Sequence, residues 1–185
     1  MKIKEIINNS ALYLGLGDVR EYLVAQTDAS EETLKTVGVL TGLCNLVISE
    51  LASTYIPMTA TEEVSAVAGK IFFENLNHAA IKVVSVKDRS GNEINFEVFP
   101  EYIKLKDGRF TVEYEYIPQN YGLTDDIGYG EKDVPQAALS YGLCAEYCIT
   151  QCRFEEAVSW RKRYIFSLEK FLVPKARTMK ARMFV

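Results

Sequence analysis

The residues best suited to covalent or metal chemistry are four cysteines and one histidine. Cys144, Cys148 and Cys152 recur at every fourth position, so on a helix they lie along one stripe. Three thiolates are a possible metal set, but no C-x-x-C pair accompanies them and His78 lies in a different segment. Side chains four apart on a helix run parallel, which disfavours a disulfide. We therefore interpret these cysteines, together with Cys44, as small buried hydrophobic residues, and we expect no metal and no cofactor.

Other patterns associated with catalysis are missing from the sequence. The Gly-x-Gly at 15–17 follows a helical pattern and lacks the third glycine of a dinucleotide-binding loop, so we interpret it as a helix terminator. The adjacent acid pairs at 62–63 and 125–126 have side chains that point apart in an extended chain. We expect no catalytic residue and no enzymatic activity. An enzyme with Cys144 or Cys148 as its nucleophile is the remaining alternative of that kind.

The elements that position these residues begin with a helical N-terminal segment. Apolar residues recur at helical spacing over 2–14, and a short second helical segment is expected over 19–24. A long third helix is predicted to run to Thr54. Asp28 would be its N-cap, with Glu31 as the acid that reaches back in a capping box.

Between about residues 58 and 120 the apolar period changes to two, which predicts an antiparallel β domain of four to six strands. The dipeptide Asp107-Gly108 suits the positive φ angles of a two-residue type I′ turn, so we predict a hairpin there. Its register would place Lys106 opposite Arg109. Further along the two arms, apolar positions would then face apolar ones.

The rest of the predicted β domain is less regular. A second hairpin should join 80–87 to 94–99, and 63–67 and 70–73 are further strand candidates. The segment 121–130 that follows is acidic and glycine-rich, and we interpret it as a mobile connector.

The C-terminal part is predicted to be a helical hairpin followed by a basic tail. Asp133 and Pro135 are start signals for a helix that runs to Cys152. A second helix is expected from Glu155 to Leu172. The residues predicted to form its buried side are Phe154, Ala157, Val158, Arg161, Tyr164, Ile165, Leu168, Phe171 and Leu172.

Together these patterns predict an α+β protein, with a helical bundle built from both chain ends and an inserted antiparallel β domain. The helical core would comprise 1–57 and 131–185, and the β insert 58–120. No stretch approaches eighteen uninterrupted apolar residues, and the N-terminus has no apolar signal core. We therefore expect neither a membrane span nor a secretory leader.

Charge is unevenly distributed along the chain. The net charge is −4, yet the stretch from Trp160 to Val185 contains eight bases and one acid, so the rest of the chain is strongly acidic. An acidic body argues against nucleic acid as the main ligand. A basic end on such a body can contact an acidic partner, or copies of the chain can stack head to tail.

Two consecutive helices carry a pattern of apolar and aromatic spacings. Residues 135–147 read PQAALSYGLCAEY, and 154–164 read FEEAVSWRKRY, in which Trp160 and Tyr164 are four apart. This pattern resembles the head-to-tail connector, or adaptor, proteins of tailed bacteriophages, where a P-x-A…G-x-A-x-Y helix precedes an E-A-x-x-W-x-x-x-Y helix. The β insert is similar in kind to that of the tail-tube adaptors of short-tailed phages.

The resemblance implies a structural role in the virion neck, between capsid and tail, after assembly in the host cytoplasm. Such proteins form a ring beneath the portal that matches its twelve-fold symmetry, so a dodecameric homo-oligomer is implied. The ring extends the DNA channel and presents a surface for tail attachment. The implied partners are the portal protein, tail or nozzle proteins, and DNA that passes through the lumen without specific binding, with no membrane.

The resemblance also implies site residues. The C-terminal segment of such proteins commonly docks on the portal, which here implies Lys175, Arg177, Lys180, Arg182, Met183, Phe184 and Val185. Subunit or partner contacts are expected at Arg161, Lys162, Arg163, Asp125 and Asp126. The hairpin tip expected to face the tail is Lys106, Asp107, Gly108 and Arg109.

Two other functions fit the same residues. The chain could serve as another neck protein, a head-completion stopper or a tail terminator. It could also be a cellular regulator that binds nucleic acid through the basic cluster 161–163 and the basic tail.

Overall fold

The structure is a computed structural model that describes residues 1–25, 28–130 and 133–172. Its helices are α1 (Ile3–Leu14), α2 (Gly17–Ala25), α3 (Glu31–Glu50), α4 (Gln136–Thr150) and α5 (Phe154–Leu172). Its strands are β1 (Met58–Ala66), β2 (Lys70–Phe72), β3 (Ala80–Lys87), β4 (Glu97–Val98), β5 (Tyr102–Lys104) and β6 (Gly108–Tyr116). The predicted α+β class is confirmed. The predicted portal-docking residues, 175–185, lie outside the described part of the chain.

The chain divides into two compact units. One is built from both chain ends, Met1–Leu40 and Leu123 onward, and the other is Thr41–Gly122. The boundary thus falls inside α3 rather than at residue 57, where we expected it. The second half of a single continuous helix belongs to the same unit as the strands.

Helix α1 forms as its apolar spacing predicts. Ile3, Ile6, Ile7 and Ala11 are buried on one face. Gly15 ends the helix in the left-handed conformation, with φ of +73°, and donates its backbone N–H to the last turn. Glycine favours this conformation because it has no Cβ to clash with the backbone.

The start of α3 differs from the prediction, because Ser30 and not Asp28 is next to its first turn. The Thr33 backbone N–H donates to Ser30 Oγ at 3.1 Å, and the helix begins at Glu31. Both residues are good caps. The buried stripe through Thr33 and Val37 begins only after Ser30, which sets the first turn there.

The start of α4 also differs from the prediction. Pro135 is the residue at its N-cap position, with no side-chain cap. The carboxylate of Asp133 instead accepts a hydrogen bond from the Gly130 backbone N–H at 2.7 Å. Asp133 therefore accepts a hydrogen bond from the preceding loop and does not cap α4.

One continuous helical stretch within the described residues, Glu31–Tyr55, is long and apolar enough to cross a membrane by length and composition alone. It consists of α3 and a π-helical turn at Leu51–Tyr55. Its most apolar window has a mean hydropathy of 1.4, and 44% of that window is buried. Core helices of soluble proteins pass the same test.

The unit Thr41–Gly122 contains two three-stranded antiparallel sheets, with strand orders β1-β6-β3 and β2-β5-β4. Strand β6 is the centre of the first sheet, where Met58 pairs with Tyr116 and Ala66 with Gly108. Both sheets contribute to one apolar core. Its buried members are Ala66, Ile71, Leu76, Val83, Val86, Ile103, Phe110, Val112 and Tyr114.

The hairpin predicted at Asp107-Gly108 is wrong. Strand β5 pairs with β2 and β4, while β6 pairs with β1 and β3, so Lys106 and Arg109 do not face each other across a turn. Residues 105–107 instead carry the chain from one sheet to the other. A period of two reports which face of a strand is apolar, but it leaves the choice of partner strand open.

The tight turn lies at Ala68-Gly69 instead. Both residues have positive φ, +52° and +72°, as a type I′ turn requires. Val67 and Lys70 exchange both backbone hydrogen bonds, at 3.0 and 3.1 Å. The strand candidates 63–67 and 70–73 therefore meet at this turn, and beyond the Val67–Lys70 pair they belong to different sheets.

The second predicted hairpin is correct only around its turn. The Asp88 N–H donates to the Asn92 carbonyl at 2.9 Å, and the Ile94 N–H donates to Val86 at 2.8 Å. Hydrogen bonds from backbone amides, first that of Asn92, lower the pKa of the Asp88 carboxyl. Beyond Ile94 the chain leaves β3, and β4 joins the other sheet.

We expected the segment 121–130 to be a mobile connector, but from Leu123 onward it is fixed to the start of α1. The Lys4 N–H donates to the Leu123 carbonyl at 2.9 Å, and the Ile127 N–H donates to the Met1 carbonyl at 3.1 Å. Ile127 and Tyr129 are both buried. We expected mobility because the segment contains several acids and glycines. That expectation did not take account of Ile127 and Tyr129, two apolar side chains two residues apart that are both buried.

Candidate functional site

The helical unit contains an antiparallel pair, α4 and α5, joined by the three-residue turn 151–153, with α1 packed on α4. Small buried side chains line the contact between α1 and α4. Ser10 Oγ lies 3.2 Å from the Ser140 carbonyl, and Ser140 Oγ lies 3.1 Å from the Gln136 carbonyl. Both serines thus satisfy their hydroxyls within the core, as buried polar groups require.

Two of the cysteines, Cys144 and Cys148, lie on α4, whereas Cys44 lies on α3 and Cys152 lies in the turn between α4 and α5. Cys44, Cys144 and Cys148 are buried, as predicted, but Cys152 is exposed. Cys152 lies past the end of α4 with φ of +56°, so the helical stripe ends before it reaches this residue. Burial raises the pKa of the Cys144 thiol to about 12, which keeps it protonated at neutral pH.

No group of three histidine, cysteine, aspartate or glutamate side chains is arranged to hold a metal ion among residues 1–25, 28–130 and 133–172. His78 instead stacks on the ring of Tyr116, with ring centroids 4.2 Å apart. In the same part of the β unit, the hydroxyl of buried Tyr114 donates a short hydrogen bond to Glu62. Burial and that hydrogen bond raise the pKa of Tyr114 to about 12.

Three aromatic rings from three helices meet on the surface of the helical unit. Tyr13 of α1, Tyr141 of α4 and Trp160 of α5 have ring centroids 5.6, 5.7 and 5.8 Å apart. Burial, and then the charge of Tyr141, raise the pKa of Tyr13. We call these three residues the aromatic cluster. Offset aromatic pairs at such distances stabilise by about 0.5–1.5 kcal/mol beyond their buried area.

The three predicted basic contact residues of α5 point in different directions, because successive helical residues are about 100° apart. Arg161 is half-buried and forms an ion pair with Glu146 of α4 at 3.7 Å. Arg163 is exposed and lies over the ring of Trp160, 4.7 Å from its centroid. Lys162 is exposed to solvent. The three bases at 161–163, adjacent in the sequence, therefore do not form one basic face on α5.

The two predicted acidic contact residues lie on the loop held against α1. Asp126 forms an ion pair with the Met1 ammonium at 3.0 Å, and its side chain is largely exposed. The Asp125 carbonyl accepts the Ile3 N–H at 3.2 Å. These residues hold the N-terminus of the chain, a role that their sequence position alone did not indicate.

The four residues predicted to form a hairpin tip lie on the crossing between the sheets. Asp107 accepts a hydrogen bond from the Gly69 N–H, and Arg109 forms an ion pair with Glu63 of β1 at 3.7 Å. Lys106 lines an open groove of about 700 Å³ beside β5. Gly108 begins β6 with φ of +156°.

Helix α5 leaves much of its predicted buried stripe in solvent. Ala157, Tyr164 and Leu168 are buried, as expected. Five other apolar side chains on this helix are 37–66% exposed. They are Phe154, Val158, Phe166, Phe171 and Leu172. The prediction was wrong for four of these, all but Phe166, because an apolar stripe shows what a helix can bury, while the residues packed against α5 cover only a narrow part of it.

The helical unit also contains a cleft between the end of α1, the first turns of α2 and α3, and α4. It has a volume of about 330 Å³. Its lining residues are Gly15, Leu16, Gly17, Asp18, Val19, Ser30, Glu32, Thr33, Thr36 and Tyr147. The only charged side chains that line it are Asp18 and Glu32.

The aromatic cluster, Phe166 and this acidic cleft were not predicted. Tyr13 and Tyr141 lie far apart in sequence, and no local pattern indicates that they meet. Phe166 offered a signal, since it interrupts the polar face of α5 between Lys162 and Lys170. The cleft offered no such signal, because its wall combines three separate segments of the chain, 15–19, 30–36 and Tyr147.

Comparison with known proteins adds no family assignment: no protein-family model matches the chain, and no curated protein matches it at a significant level.

Proposed function

We propose that the chain is a non-enzymatic structural subunit of a phage neck, a head-to-tail adaptor that forms a ring under the portal. In this role it extends the DNA channel and offers the tail a surface for attachment. The resemblance of the α4–α5 pair, with its Trp160 and Tyr164 spacing, supplies the class of protein. The observation that carries the proposal is the exposed apolar surface of α5.

That surface is unusual for a protein that acts alone. Phe154 and Phe166 are 61% and 66% exposed, and Val158 between them is 54% exposed. Burying apolar surface stabilises by roughly 25 cal/mol per Å², so each of these side chains favours a partner that covers it. Clustered exposed apolar residues mark interaction surfaces. A subunit of a ring, with neighbours on two sides, has this requirement.

The charge of the chain is also compatible with a conduit for DNA. The net charge is −4, and six of the described bases form ion pairs with carboxylates. An acidic wall repels the phosphate backbone, so DNA can pass without being held. The basic tail, 175–185, is the part of the sequence suited to docking on an acidic portal surface.

The proposal is tested by locating the chain in virions. We expect an antibody against the chain to label the head–tail junction of phage particles produced from the genome that encodes it. Mass spectrometry of the same purified particles should find the chain at a copy number near that of the portal. Particles that contain the portal but lack this chain would contradict the proposal.

A second measurement separates the adaptor from the nucleic-acid alternative. The purified chain should bind duplex DNA weakly at low salt and show no sequence-specific binding. Tight binding that falls steeply between low and moderate salt would favour the regulator instead.

A further inference from the structure

The exposed face of α5 contains an aromatic side chain surrounded by cations. Phe166 is 66% exposed and points away from the buried stripe of Ala157, Tyr164 and Leu168. Residues three and four apart on a helix are neighbours on its surface. This places Lys162 and Lys170 on the adjacent turns beside Phe166.

The charges around Phe166 are mostly positive. Arg163 lies one turn before it, over the ring of Trp160, and Glu169 lies one turn after it. No carboxylate of the described residues forms an ion pair with Lys162 or Lys170. We call Phe166, Lys162 and Lys170 the basic knob. Aromatic side chains are enriched at the centres of protein interfaces, and polar or charged side chains form the rim around them.

The acidic cleft has the complementary character. Asp18 and Glu32 are exposed at its wall, while Leu16, Val19 and Tyr147 supply apolar surface. Its volume of about 330 Å³ is at the lower end of pockets that hold small ligands, and is large enough for one side chain.

The surroundings of the cleft are acidic as well. Over 16–40 there are five carboxylates and two cations, and one of these cations, Lys35, is paired with Glu31 at 2.7 Å. Arg20 is the other, and its Nε is buried without a hydrogen-bond partner. The cleft therefore retains an excess of negative charge.

The basic knob and the acidic cleft of one chain are too far apart to engage each other. Tyr147, which lines the cleft, lies in the last turn of α4, next to the turn that leads into α5. Phe166 lies twelve residues after the first residue of α5, roughly 18 Å along its axis at 1.5 Å per residue. The two surfaces thus belong to different ends of the α4–α5 pair.

We propose that the basic knob of one copy of the chain docks in the acidic cleft of the next copy. Phe166 enters the cleft, and Lys162 and Lys170 pair with Asp18 and Glu32. Two different surfaces meet, so the contact is heterologous and repeats from copy to copy until the rotation closes a ring. This inference rests on the proposed function only in identifying the ring with that of a phage neck.

Two variants separate the two surfaces. Phe166→Glu removes the knob and leaves the cleft, while Glu32→Lys reverses the charge of the cleft and leaves the knob. Val98→Glu is the matched control, because it introduces the same charge at a side chain that is 57% exposed in the β unit. Circular dichroism and thermal unfolding of each variant show whether its fold is retained.

Self-association is measured by analytical ultracentrifugation of the full chain at several concentrations. We expect each of the two variants to associate at least about tenfold more weakly than the unmodified chain, a change of about 1.4 kcal/mol. Val98→Glu should associate as the unmodified chain does. Raising the salt concentration should weaken association of the unmodified chain, because the charges lie at a partly exposed surface.

Mixing the two variants is the decisive experiment. The intact cleft of Phe166→Glu can receive the intact knob of Glu32→Lys, and the pair then has no further competent surface. The mixture should therefore form one-to-one pairs and nothing larger. A mixture that stays monomeric, or a single variant that associates like the unmodified chain, would overturn the proposal.

The result is independent of the test of the neck function. An unmodified chain that stays monomeric up to about 1 mM overturns the docking contact, whether or not the virion neck is labelled. One-to-one pairs from the mixed variants, without any labelling of virions, would instead retain the contact and reject the phage assignment.

Discussion

The backbone N–H of Gly69 donates a hydrogen bond to the carboxylate of Asp107, 38 residues later in the chain. Gly69 lies in the tight turn between β1 and β2, and Asp107 lies where the chain crosses from β5 to β6. The Leu105 N–H returns a bond to the Gly69 carbonyl at 3.0 Å. The turn between β1 and β2 is thus joined to the second crossing between the two sheets.

Substitution of Gly69 should destabilise the protein. Its φ of +72° is disfavoured for other residues, and an added Cβ would lie 2.9 Å from the Leu105 carbonyl oxygen. We expect Gly69→Ala to lower the free energy of unfolding by about 1–3 kcal/mol in urea titrations. Gly91→Ala is the control, with a similar φ of +82° and no atom within 4 Å. Equal losses for the two variants would show that the contact with Leu105 has no effect.

The aromatic cluster should be energetically coupled across helices. We expect Tyr13→Ala and Trp160→Ala to show an interaction energy of about 0.5–1.5 kcal/mol in a double-mutant cycle, because their rings stack 5.7 Å apart. The interaction energy is measured by urea unfolding followed by circular dichroism. Tryptophan fluorescence does not serve here, because Trp160 is the one tryptophan of the chain and the cycle removes it. Additive losses would contradict the coupling.

Two neighbouring positions of α5 should differ sharply in their effect on stability. Leu168 is fully buried, so Leu168→Ala should cost about 2–5 kcal/mol. Phe166→Ala should change the free energy of unfolding by less than about 0.5 kcal/mol, because its side chain is 66% exposed. Thermal or urea unfolding at low protein concentration compares them without self-association. A large loss for Phe166→Ala would mean that this side chain supports the fold.

Stability should depend on Tyr114 at alkaline pH. Burial and the hydrogen bond to Glu62 raise the pKa of Tyr114 to about 12 in the folded chain, above its unfolded value of 10.0. The neutral phenol is therefore favoured by folding, so its contribution is fully present below pH 10 and is lost as the pH rises through 12.

The measurement is a series of urea midpoints at increasing pH. Between pH 10 and 12 the unmodified chain should lose stability more steeply than Tyr114→Phe, which has no phenol to ionise. The buried thiols of Cys44 and Cys144 titrate near the same pH but are common to both proteins. Parallel pH profiles for the two would therefore contradict the assignment to Tyr114.

The helical part of the fold was largely predictable. The spacing of Ile3, Ile6 and Ile7 predicted both the position of α1 and its buried face, and Gly15 predicted its end. These features depend on the few residues within a turn or two, which the sequence lists directly. The choice of Ser30 over Asp28 shows the limit of that information, since two good caps lay within one turn.

The pairing of strands was not predictable in this way. Ile103 and Val112 have the alternation of a hairpin on either side of Asp107-Gly108, yet Ile103 pairs with Ile71 and Val112 with Glu62 and Val86. Alternation is satisfied equally by any partner with a matching apolar face. The observed pairing brings distant segments together, as in the hydrogen bond between Gly69 and Asp107.

Local spacing therefore accounts for the helices, the period-two region and the α+β class, because each depends on contacts within a few residues. Folding in three dimensions settled three other features: the partner of each strand, the aromatic cluster of Tyr13 with Trp160, and the exposure of Phe166. Each of these depends on segments far apart in the chain. A side chain of a helix is buried only where another element packs against it. Which elements do so depends on the tertiary fold and not on the sequence of the helix itself.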